Sequence, residues 1–195
     1  MSKETRILAQ RHDRWVDLIV IALVVVALAL GWVVKTVAEG RTVAVEVSGL
    51  HLRYPAGWLR LDAQPPVLLQ VQDGLARGLA TTLTLQRRPL PTGAAQPLAL
   101  IQQSLALERG SQWAAYRVLQ LQDSVSVGGR KGMRITFAYV ETNPDPFLVT
   151  VPVVMRGDDL LFVQDDQAYI FTLTSAEANY GRSQGALLAI IRSWK

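Results

Sequence analysis

The sequence predicts an α+β protein, an N-terminal transmembrane helix followed by a twisted antiparallel β-sheet packed with helices. Three observations predict it. One long uncharged apolar run lies near the N-terminus, many short segments of alternating apolar and polar residues are joined by turn-forming residues, and two stretches carry apolar residues at helical spacing.

The apolar run comes first. From Leu18 to Val34 there are 17 uncharged residues, LIVIALVVVALALGWVV. Widened to Trp15 and Val37, the segment makes about 35 Å of helix at 1.5 Å per residue, enough for a bilayer core. Its many Leu, Ile and Val side chains favour insertion, and Asp17 sits at the segment edge, where a carboxylate reaches the headgroups. Trp15 and Trp32 stand near the two ends, where indole rings prefer the interface. Lys3, Arg6, Arg11 and Arg14 precede the run and only Lys35 and Arg41 closely follow it, which predicts a cytoplasmic N-terminus and an extracytoplasmic domain. Thr36-Val37-Ala38 offers a small-residue cleavage site, but the run is longer than a signal-peptide core, so retention is expected. Ala27 and Gly31 form a small-xxx-small pair, read as a lipid-facing surface rather than a dimer contact. The expected boundaries are therefore a tail at 1–14, a membrane span at 15–37, a linker at 38–44 and one domain at 45–195.

Within the domain, Val43, Val45 and Val47, then Leu50, Leu52 and Tyr54, alternate with polar or small residues and read as half-buried strands. Ala56-Gly57 is a turn, Trp58–Leu61 is extended, and Pro65-Pro66 interrupts it. Val67–Gln72 and Leu79–Gln86 follow as strands separated by Asp73-Gly74. A loop over Arg88–Gln96 leads to a helix opened by Pro97, with Leu98, Ile101 and Leu105 as its buried stripe, Leu100 and Leu107 widening it, and Gly110 stopping it. Tyr116–Val127 and Met133–Thr142 pair around the glycine-rich stretch Gly128–Gly132. Asn143-Pro144-Asp145-Pro146 is a turn, and Phe147–Met155, Leu160–Val163 and Ala168–Leu173 are strands. Ser175 is placed to cap a last helix whose buried face carries Tyr180, Leu187, Ile191 and Trp194. Strands joined by tight turns make the sheet antiparallel, and the two helical stripes require its faces.

Composition narrows the chemistry. Lys and Arg number 20 against 16 Asp and Glu, with no basic block of the kind that tracks nucleic acid. The absence of cysteine excludes disulfides, thiol catalysis and Cys-ligated zinc or iron–sulfur clusters. Of the two histidines, His12 precedes the apolar run and His51 alternates outward on a strand, and no Gly-x-Ser-x-Gly elbow accompanies them. Asp158-Asp159 and Asp165-Asp166 invite a hard cation, but a strand over Leu160–Gln164 separates Asp159 from Asp165 by roughly 20 Å at about 3.3 Å per residue, so all four are read as turn residues. Gly128–Gly132 with Arg130 and Lys131 lacks Walker spacing and is read as a plain hairpin. Arg77, Arg87 and Arg88 read as a solvated face, and Trp58, Trp113 and Trp194 as core anchors. No catalytic, cofactor or metal residue is assigned.

Several of these segments resemble one family. Gly49-Leu50-His51-Leu52-Arg53-Tyr54-Pro55-Ala56-Gly57-Trp58 looks like the opening signature of PsbP-like domains, a group that includes an extrinsic photosystem II protein and a Ran-binding import factor. Val125–Gly132, the Tyr169–Leu173 strand before a helix, and the closing Ile190-Ile191-Arg192-Ser193-Trp194 resemble the same pattern, over roughly Val45 to Lys195. The resemblance implies a PsbP-like α/β/α sandwich, anchored as in bacterial members. It also implies a non-enzymatic accessory or assembly module that binds protein subunits of a larger membrane complex, with the membrane lipid contacted through 15–37. The alternative is a ligand- or metal-binding sensor at the membrane surface. No photosystem role carries over, because the retained helix departs from the soluble photosynthetic protein, and no metal or partner site does, because no matching residue motif is present.

Overall fold

The computed structural model describes residues 19–33, 40–74, 79–93, 95–141 and 152–194. The chain divides into two compact units, Met1–Arg41 and Thr42–Lys195. In the first, residues 19–33 are helical (α1) and every one of them is exposed. Among the described residues no helix is long and apolar enough to cross a membrane. The ends of the expected span, 15–18 and 34–37, lie outside the described residues, as do Thr36-Val37-Ala38, Arg77 and Asn143-Pro144-Asp145-Pro146.

The second unit opens with β1 (Thr42–Val47) and β2 (Leu50–Pro55), an antiparallel pair in which Val47 faces Leu50 across Ser48-Gly49. Both turn residues have positive φ, 51° and 81°, the conformation of a two-residue hairpin turn. β1 thus takes in the last residues of the expected linker. The remaining strands are β3 (Trp58–Leu61), β4 (Val67–Asp73), β5 (Thr82–Pro89), β6 (Ala114–Val127), β7 (Arg130–Glu141), β8 (Val153–Gln164) and β9 (Gln167–Ala176). They form one seven-stranded antiparallel sheet in the order β3-β4-β5-β9-β8-β7-β6. α2 (Pro97–Gln112) packs on one face and α3 (Glu177–Ser193) on the other.

Alternation along the strands assigns each face. Leu69, Val71, Leu83, Leu85, Phe171 and Leu173 point to the α3 side, where Leu187, Ile190, Ile191 and Trp194 meet them together with Leu50, Leu52 and Tyr54 of β2. Met133, Ile135, Leu161 and Ile170 point to the α2 side and pack against Ile101 and Leu105. Neighbouring residues of β8 therefore serve different cores.

The structure corrects four expectations. Leu100 and Leu107 do not widen the α2 stripe, being 46% and 77% exposed, and the stripe is completed instead by Arg109, four residues beyond Leu105. Gly110 does not stop α2, which continues to Gln112, and the Trp113 amide closes it by donating to the Arg109 carbonyl at 2.7 Å. Ser175 is not the cap of α3. It is buried at the end of β9, where its hydroxyl lies 2.8 Å from Thr81 Oγ1, and Ala176 occupies the cap position with no side-chain bond. The fourth correction concerns Asp158-Asp159, which form no turn. β8 runs unbroken from Val153 to Gln164, and the two aspartates lie inside it, 0% and 1% exposed. The pair expected in a turn is among the most deeply buried polar groups of the domain.

Two glycines make that continuity possible. A Cβ on Gly157 would lie 2.6 Å from the Leu173 carbonyl and overlap the Phe137 ring, and one on Gly132 would overlap the Leu161 carbonyl. Without side chains there, the neighbouring rings settle directly on the sheet. Asp165-Asp166 do form a turn, the two-residue link between β8 and β9, with φ of 51° and 58°.

Candidate interaction surface

Neither helix covers its whole face. α3 and β2 cover the α3 side of β4, β5 and β9, whereas α2 lies over the β7–β8–β9 half of the opposite side. Among the described residues no helix covers the α2-side surface of β3, β4 and β5. Register defines what that surface presents. One row runs Leu59, Gln72, Thr82, Thr174, and the next runs Leu61, Gln70, Thr84, Thr172. Amides, hydroxyls and two leucines make it polar but uncharged.

Where this half-face meets α2 there is a cleft of about 190 Å³, lined by β5, β9, Tyr139 of β7 and the last turns of α2. Its two guanidinium groups are neutralised. Arg88 donates to Glu108 at 2.8 Å. Arg109 makes a bidentate pair with Asp159, with Nη2 2.9 Å from Oδ1, and it also donates to Thr172 Oγ1 at 3.1 Å. Desolvation opposes the Arg109 charge, but attraction and hydrogen bonding from Asp159 outweigh it and raise the pKa. The guanidinium lies 4.6 Å from the Phe137 ring centroid and 5.0 Å from that of Trp113, which in turn stacks on Tyr139 at 4.2 Å. Burial, helped by Glu141, pushes the Tyr139 phenol up to about 12, so it stays neutral. Gln86 lines the same cleft, and its buried Oε1 has no hydrogen-bond partner among the described residues.

On the α3 side Asp158 accepts bonds from four side chains: Arg134 at 2.7 and 3.2 Å, Thr136 at 2.6 Å, Tyr180 at 2.7 Å and Gln184 at 3.0 Å. Desolvation would raise its pKa, but these donors overcome that and hold it below the usual carboxylate range. The same carboxylate, after burial itself, raises the pKa of Tyr180. Both interior carboxylates are thus committed to structural partners, which leaves neither as a general base or a cation ligand. Among the described residues no cluster of three or more His, Asp or Glu is arranged to hold a metal ion.

The other residues singled out by sequence are scattered. His51 is exposed on β2, 3.8 Å from Glu46. The glycine-rich stretch is a hairpin as read, with Gly128-Gly129 as its turn and β7 starting at Arg130. Arg87 is exposed, whereas Arg88 is held by Glu108. Trp194 is a core anchor, 2% exposed, and Trp58 and Trp113 pack against the cores from partly buried positions. The cleft residues were missed, because no local motif marks residues gathered from β5, β7, β9 and α2. Ile101, Leu105 and Arg109 at intervals of four were the one available signal.

No family model matches the chain, and no curated protein matches it. Among solved structures, the cyanobacterial PsbP protein CyanoP of Synechocystis sp. PCC 6803 aligns with 79% of this chain and 91% of its own, at 15% identity and a TM-score of 0.53. The Ran-binding protein Mog1p of Saccharomyces cerevisiae aligns with 80% of this chain and 95% of its own, at 10% identity and a TM-score of 0.50. At such identities the likeness is one of architecture, and it agrees with the element order above: this chain is built on the PsbP-like α+β fold.

Proposed function

We propose that the chain is a single-pass membrane protein whose extracytoplasmic domain is a non-enzymatic accessory module, binding a protein subunit of a larger membrane complex through the open half-face of β3–β5. The observation that carries this reading is that half-face. Its rows of Gln70, Gln72, Thr82, Thr84 and Thr174 offer an uncharged, hydrogen-bonding surface flanked by Leu59, which is 60% exposed. Such a composition suits contact with another protein, since no unpaired charge has to be desolvated. A Ran-binding protein on the same fold supports a binding role for this scaffold. The anchor reading rests on α1, apolar around its whole circumference and exposed throughout, within a run of sequence long enough to span lipid. The basic residues before it favour a cytoplasmic N-terminus.

A second reading, a sensor for a small uncharged ligand, is favoured by Gln86, which lines the cleft beside α2 and whose buried side-chain oxygen has no partner among the described residues.

The test is gentle detergent extraction of the full-length chain and of a Thr84→Arg variant with unchanged circular dichroism. The wild type is expected to carry a stoichiometric protein companion that the variant loses. A wild type recovered without any companion, or a variant that keeps it, counts against this surface.

A further inference from the structure

On the opposite side of the sheet, α3 leaves the β6–β7 half open, and a second cleft of about 430 Å³ lies there between the β6–β7 hairpin and the C-terminal half of α3. Its chemistry is unlike that of the α2 cleft. Arg134 and Arg192 both line it. Arg134 donates Nε and Nη2 to Asp158 and keeps a partly exposed guanidinium on the cleft. Arg192 has no ion pair among the described residues. A position in the last turn of α3 favours a cation, but it does not account for a second guanidinium on the same cleft. Among the described residues the cleft lining holds no carboxylate, and Asp158, to which Arg134 donates, is fully buried and already shared with Thr136, Tyr180 and Gln184. Lys131 and Arg130 on the same hairpin add positive charge, with Arg130 held 4.2 Å over the Trp194 ring.

Part of the remaining wall is aliphatic. Val125 and Leu188 are partly buried aliphatic side chains on the cleft, backed by Val127 and Leu160 of the core, and Ser126 is exposed among its lining residues. Gly128 brings the hairpin turn against α3, where a Cβ would stand 3.3 Å from the Arg192 Cα. A cleft with two guanidinium groups and an aliphatic wall matches a ligand with the same division.

We propose that this cleft binds an anionic amphiphile, an oxyanion such as a phosphate carried on an aliphatic body, with Arg192 and Arg134 on the oxyanion and Leu188 and Val125 against the chain. The proposal does not depend on the protein-binding surface above, which lies on the other face. Anionic phospholipid and free phosphate share the oxyanion, and the apolar wall separates them.

The experiment uses the full-length chain in uncharged detergent, titrated with short-chain phosphatidylglycerol, with phosphatidylcholine of the same chain length, and with inorganic phosphate. Binding is read by native mass spectrometry and by the thermal midpoint. Phosphatidylglycerol is expected to bind saturably, and Arg192→Gln, an exposed change that leaves the core intact, to weaken it roughly tenfold or more. Leu188→Ser is expected to weaken the lipid while leaving phosphate unaffected. Equal binding of phosphatidylcholine, equal binding of inorganic phosphate, or phosphatidylglycerol binding that Arg192→Gln leaves unchanged would each overturn the proposal.

Discussion

Asp158 and Asp159 are neighbours in sequence and belong to different sides of the molecule. A strand points successive side chains to opposite faces, so Asp158 enters the α3 layer and Asp159 the α2 layer, each toward its own arginine. The two environments are built differently. Asp159 shares one guanidinium and a threonine hydroxyl, while Asp158 collects donors from β7 and α3 and ties the helix to the sheet through Tyr180 and Gln184. The depressed pKa of Asp158 makes the bond network a source of pH-dependent stability. A carboxyl held below its unfolded value stabilises the fold fully above about pH 4 and ceases to do so as pH falls through the folded value. Asp158→Asn keeps the shape but leaves the partly exposed Arg134 less well paired, so it is expected to cost about 1–3 kcal/mol at neutral pH. Thermal midpoints measured across the acid range check this. The wild type should lose stability on acidification more steeply than the variant, and parallel curves would assign the acid sensitivity to other groups.

At the scale of elements, the sheet depends on two places where side chains are missing. Gly157 on β8 lies between Thr174 of β9 and Phe137 of β7, and the Phe137 ring occupies the space its Cβ would need. Gly157→Ala must move that ring or the β9 backbone, and it is expected to destabilise the domain by about 1–3 kcal/mol as an overpacking change. Chemical denaturation of the folded variant measures it, and an unchanged midpoint would show that Phe137 has room to turn. The same strand explains what sequence reading reached and what it did not. Hairpins with glycine or aspartate pairs, the Pro97 helix start and the outward place of His51 were legible because each is fixed by a few adjacent residues. β8 was divided because two consecutive carboxylates are prohibitively costly to bury unpaired. Their partners sit far along the chain, Arg109 at a separation of 50 residues and Arg134 at 24. The α2 cleft was illegible for the same reason, since only the crossing from β5 to β9 brings Thr84 beside Thr172.

The whole of the second unit has a diagonal plan. Each helix covers part of one face and leaves a remainder open, a neutral one beside β3–β5 and a cationic one beside β6–β7, so a single sheet presents two chemically distinct surfaces. Both surfaces and both buried ion pairs lie within Thr42–Lys195. Among the described residues the cores that hold them are assembled from that unit, from Leu50 to Trp194. These clusters give the domain cores of its own, whereas the proposed residence in a membrane needs α1. A chain shortened to residues 42–195 is expected to unfold cooperatively within about 2 °C of the full-length protein, a difference corresponding to no more than about 1 kcal/mol in a domain of this size. It should also be recovered in the aqueous fraction, while the full-length chain stays with the membrane after an alkaline wash. A full-length chain released by that wash would remove the anchor from the proposal and leave the fold untouched, and a shortened chain that fails to fold would show that the first unit contributes to the cores.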